Sequence, residues 1–121
     1  MAKRAAKEKS PASWISQLNL DDIQGAHEEA TVDAYGDCEQ HTGFMTALED
    51  ELVFPFNVKI MGETRAVVGM AWPEDSEFGL DFLIERDGSE RRVDATSVEV
   101  LEPFPGGHLT LAAYLKWRRF V

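Results

Sequence analysis

The chain has 121 residues, 44% of them hydrophobic, and a formal net charge of −10. That is enough apolar content for one small core, and no apolar run is long enough to cross a bilayer. The single cysteine, Cys38, excludes an intramolecular disulfide and offers no zinc pattern. A field this negative repels nucleic acid and anionic membranes and gathers cations or basic partners.

The charge is unevenly spread. Ten acids (Asp21, Asp22, Glu28, Glu29, Asp33, Asp37, Glu39, Glu49, Asp50 and Glu51) fall between residues 21 and 51, where there is no lysine or arginine. The basic start, "MAKRAAKEKSPAS", is followed by no apolar segment of the secretory kind, so a cytoplasmic protein is expected. Residues 1–12 read as a basic disordered arm and residues 13–121 as a single acidic domain.

Taken in chain order, "SWISQLNLDDIQGAHEE" has only a weak helical period, and a short helix is expected from about Glu28 to Tyr35. Gly36 breaks it, and Asp37 is placed to cap the next helix, about Cys38 to Leu52. At about 100° per residue, His41, Phe44, Met45, Leu48 and Leu52 share one side of that helix. Glu39, Gly43, Thr46 and Asp50 share the other, an oxygen-rich outer stripe with a gap in it. The period then changes to two. Three strands alternate through Phe54–Ile60, Thr64–Trp72 and Phe78–Ile84, and "RDGS" at Arg86 to Ser89 signals a tight hairpin. "RRVDATSVEVL" adds one more strand or two short ones, giving a strongly twisted sheet or a small barrel. Leu109, Ala113, Trp117 and Phe120 mark the apolar face of a closing helix.

Abundant carboxylates without His/Cys clusters favour a hard, oxygen-ligated cation, and calcium takes about six to eight oxygens. A divalent ion would also relieve the repulsion within Glu49, Asp50 and Glu51. No segment fits the EF-hand loop. His41, on the apolar helix face, reads as a packed histidine, and Cys38 as a small structural side chain. Two rival readings remain open: an acidic module that docks a basic protein without metal, and, more distantly, a carboxylate-pair hydrolase.

The block "TVDAYGDCEQHTGFMTALEDELVFPFNVKIMGE", Thr31 to Glu63, resembles the small non-EF-hand calcium-binding proteins of the CcbP family. The matching elements are "VDAY", Glu39-Gln40, Gly43-Phe44, "LED" at Leu48 to Asp50, "FPF" at Phe54 to Phe56, and Gly62-Glu63. Looser similarity runs on to "EPFPGG" and "AYLKW", so that about residues 26–118 are covered. Leu109 stands where an aromatic residue is expected, and the N-terminal arm is additional. The resemblance implies an α+β fold, with acidic N-terminal helices on a small antiparallel, barrel-like sheet of four or five strands and a short C-terminal helix. It further implies calcium binding by surface carboxylates, for buffering or signalling and not catalysis. On the matched positions and nearby acids, the expected contributors are Asp33, Asp37, Glu39, Glu49 and Asp50, with Glu74, Asp75 and Glu77 from the loop "WPEDSEFG".

Overall fold

In the computed structural model, residues 11–73 and 79–118 are described. A 3-10 turn over Pro11–Gln17 leads into helix α1 (Leu20–Ala30), then α2 (Asp37–Glu51), and a C-terminal helix α3 (His108–Trp117) closes the chain. Between α2 and α3 run strands β1 (Phe56–Ile60), β2 (Glu63–Ala71), β3 (Asp81–Arg86), β4 (Ser89–Asp94) and β5 (Glu99–Val100).

Helix α1 starts and ends earlier than the sequence pattern predicts. Its start is set by Asn19, whose Oδ1 accepts a 3.1 Å bond from the Asp22 N–H, and by two acids in the first turn. Ile23 is its one fully buried side chain. Helix α2 matches its expected span, but its cap is Gly36, and Asp37 is already helical. In place of a side-chain cap at Gly36, Glu39 in the first turn reaches back and accepts a 2.8 Å bond from the Tyr35 N–H.

The sheet is antiparallel throughout, in the order β4-β3-β2-β1-β5. It is an open sheet and not the barrel that the sequence suggests, because β4 and β5 do not meet and β5 has only two residues. The Asp-Gly hairpin is as expected: Arg86 pairs with Ser89 around Asp87 and Gly88, at φ 53° and 81°.

One sheet face supplies Phe56, Val58, Val67, Phe82 and Ile84 to a single core that also takes Ile23, Phe44, Leu48 and α3. Helix α3 is buried on more than the predicted face, since every residue from Thr110 to Leu115 is buried. A helix apolar nearly all round is a core helix. Phe120 lies outside the described residues. Among the described residues no helix is long and apolar enough to cross a membrane.

Candidate metal centre

The α2 wheel places its residues as expected on the inner side: His41, Phe44, Leu48 and Leu52 are buried. Glu39, Thr46 and Asp50 are exposed. Gly43, the gap in the outer stripe, is not open space. A Cβ added there would lie 2.3 Å from the Ala30 carbonyl oxygen, so this is where α2 crosses the end of α1.

That crossing shapes a shallow depression of ≈ 380 Å³. Its lining includes Asp33 and Glu39, the hydroxyl-bearing Thr42 and Thr46, and Cys38. Asp33 sits in the turn after α1 with φ 60°, a left-handed conformation that aspartate tolerates better than most residues. Asp37 is exposed in the first turn of α2. Cys38 is exposed, not a packed structural side chain.

The other end of α2 is a separate place. Glu39 and Glu49 are ten positions apart, roughly 15 Å along a helix. Five carboxylates expected to act together are therefore split into two groups: Asp33, Asp37 and Glu39 at the start of α2, and Glu49 and Asp50 at its end. No single ion spans them.

The carboxylates at the end of α2 are not simply crowded. Glu49 Oε2 accepts a 3.0 Å bond from the Trp72 indole N–H. Glu51 Oε1 accepts a 2.7 Å bond from the Thr110 hydroxyl. Thr110 lies in the first turn of α3, so Glu51 meets the positive end of another helix dipole while leaving the negative end of its own. Only Asp50 is left exposed without a hydrogen bond to a described residue. Hydrogen bonds to charged groups contribute about 1.5–3 kcal/mol each, enough to offset surface like-charge repulsion. Two of the three acids are thus held by protein donors, a relief that the sequence pattern assigns to a cation.

Among the described residues, none of the ten acids from Asp21 to Glu51 forms a salt bridge; the three ion pairs are Arg65–Glu63, Arg86–Asp87 and Arg92–Asp81. Equally, among the described residues no three His, Cys, Asp or Glu side chains stand close enough to hold one metal ion. Glu74, Asp75 and Glu77 lie outside the described residues. Of the described residues on either side of them, Trp72 donates to Glu49 and the Gly79 backbone bonds His41, both on α2.

His41 is packed, as expected. It is buried beneath Trp72, Tyr114 and Trp117, with Nε2 3.2 Å from the Tyr114 hydroxyl. Burial holds its pKa below the usual 6.5, the Arg118 charge pushes the same way, and the Gly79 bond opposes them. Burial also pushes the Tyr114 phenol up to about 12. The unfolded chain takes a proton on His41 near pH 6.5 that the folded chain refuses, so stability is lost as the pH falls below that value. The urea midpoint is expected to be lower at pH 5.8 than at pH 7.5, and a His41→Gln variant to lose that component. An unchanged pH slope in the variant would refute the assignment.

Fold and site together define a small acidic α+β protein whose surface carboxylates between Asp21 and Glu51, without a salt bridge among the described residues, are with neighbouring hydroxyls oxygen donors suited to a hard cation. The family model described as "Calcium binding", of the CcbP type, matches residues 25–117, and the chain belongs to that family; calcium is its ion. No curated protein and no solved structure matches the chain.

Proposed function

We propose that the chain binds calcium reversibly at the two ends of α2 and serves as a cytoplasmic calcium buffer or signalling component, not as an enzyme. At the first end Asp33, Asp37 and Glu39 supply the charge, with Thr42 and Thr46 as further oxygens. At the second, Glu49 and Asp50 are joined by Glu74, Asp75 and Glu77. Trp72 ties Glu49 to a position two residues from Glu74, well within the reach of an extended chain. The observation that carries the reading, beside the family match, is that the lysine- and arginine-free segment holds its exposed acids without a single salt bridge among the described residues.

With no more than two described carboxylates converging, carbonyls and water complete each shell, and affinity falls at or below the sensor range of about 10⁻⁷–10⁻⁵ M. Calorimetry on the chelator-stripped protein is expected to show calcium heat and a rise in melting temperature. Asp33→Asn/Asp37→Asn/Glu39→Gln and Glu49→Gln/Asp50→Asn should each lower the stoichiometry, and all five together should abolish it. Indifference of the native chain to millimolar calcium would sink the proposal. Salt-sensitive capture of a basic protein would then be the reading to pursue.

A further inference from the structure

At the hairpin end of the sheet a second, chemically opposite feature stands out. A groove of ≈ 350 Å³ has an apolar floor of Ile60, Ile84 and Val93, with Arg65, Arg86 and Arg91 around it. The strand register explains the convergence. Ile84 pairs with Arg91 across β3–β4, and Val67 pairs with Ile84 across β2–β3, which puts Arg65 opposite Arg86 on the same face. Like charges directly opposite in a sheet are destabilising unless an anion stands between them.

The compensation present is partial. Glu63 bonds Arg65, and Asp87 reaches Arg86 only at 3.9 Å. Arg91 has no ion pair to a described residue. Three arginines against one lining glutamate, in a protein of net charge −10, make a local cationic seat on an apolar base.

The groove is continuous with an open sheet edge. Arg91 and Val93 belong to β4, the outermost strand, and among the described residues nothing pairs with its far side. An extended segment added there would complete main-chain bonds and drop alternate side chains onto the groove face. We propose that β4 and the arginine-rimmed groove form a docking site for an extended acidic peptide segment of a protein partner, one face of which carries carboxylates flanking an apolar side chain. The carboxylates would sit on Arg91 and Arg86, and the apolar group over Ile84 and Val93. This site is independent of the calcium-binding reading.

The test uses the full chain and the peptide TETVTET-amide carrying fluorescein on its N-terminal amine, followed by anisotropy at low and at 0.3 M salt. Binding is expected at sub-millimolar concentration and to weaken with salt. Arg91→Glu should weaken it at least tenfold. Arg92→Gln, which changes the opposite face of the same strand, should leave it unchanged, and unaltered melting curves would exclude misfolding. Amide exchange should slow at the β4 N–H groups that face away from β3, a signature of strand addition and not of loose charge pairing. The idea is overturned if TETVTET does not bind at 2 mM, or if the lysine peptide TKTVTKT binds equally. Equal loss in both arginine variants would also overturn it, as would sodium decanoate binding in the groove where the peptide does not. Arginines on an exposed edge would then serve to keep other strands away.

Discussion

Phe44→Ala is expected to lower the unfolding free energy by about 3–5 kcal/mol. The side chain is fully buried on α2 and packs by its ring against His27, Tyr114 and Trp117, at centroid distances of 5.5, 5.6 and 5.4 Å. Removing it deletes the apolar transfer term, opens a cavity where α2 meets α3, and forfeits aromatic pair terms of about 0.5–1.5 kcal/mol each. Domains of this size have only about 5–15 kcal/mol of total stability, so the variant should lose a large part of it. Urea denaturation reads this directly. A loss below about 1.5 kcal/mol would mean that the α2–α3 seam collapses around the gap and is not a rigid element of the core.

Gly107→Ala should be nearly as damaging, for a different reason. Gly107 caps α3 at φ 87°, and a Cβ there would lie 2.7 Å from Glu51 C and O and from Leu52 Cα. The strained dihedral costs about 1–3 kcal/mol, and the contacts are with backbone, which has little room to yield. A total on the order of 3 kcal/mol is expected. The substitution would also part the end of α2 from the start of α3, where Val53 N–H donates to Gly106 O at 3.0 Å and Thr110 donates to Glu51. Gly25→Ala is the internal control. Nothing lies within 4 Å of a Cβ at that helical position, so alanine should stabilise by about 0.5–1 kcal/mol. Equal effects at the two glycines would show that helix propensity, not close approach, governs both.

Both positions show how differently features of this chain can be read. Phe44 is legible from the 3.6-residue period of α2 alone, because burial of one helix face leaves a regular trace in the sequence. The hairpin at Asp87-Gly88 is legible because only a few residue types accept two left-handed positions. At Gly107 the left-handed φ is local, but the close approach that excludes a Cβ comes from the backbone of Glu51, 56 positions away, and leaves no trace in the sequence.

The candidate calcium residues divide along the same line. Their type and their density between residues 21 and 51 are a property of the sequence, and so is the absence of competing lysine and arginine. Their grouping is not. Linear proximity suggests that Glu49, Asp50 and Glu51 act as one cluster, yet tertiary partners on β2 and α3 take the two glutamates separately. Asp33 and Glu39, six positions apart, instead meet across one depression because Gly43 lets α2 cross close to α1. The arginine-rimmed groove was invisible for a related reason: Arg65, Arg86 and Arg91 converge through strand register, which no local pattern records.

By itself, then, the sequence determined the chemistry available to this protein. It specified an anionic stretch suited to a hard cation, an amphipathic α2, alternating strands with their tight turn, and membership of a calcium-binding family. Those are consequences of local geometry and of side-chain type. Only the tertiary structure decided that the sheet stays open, that α3 is the buried helix, and which carboxylates keep their charge free. Those outcomes depend on contacts between residues far apart in the chain, where burial and hydrogen bonding override what neighbours in sequence would do.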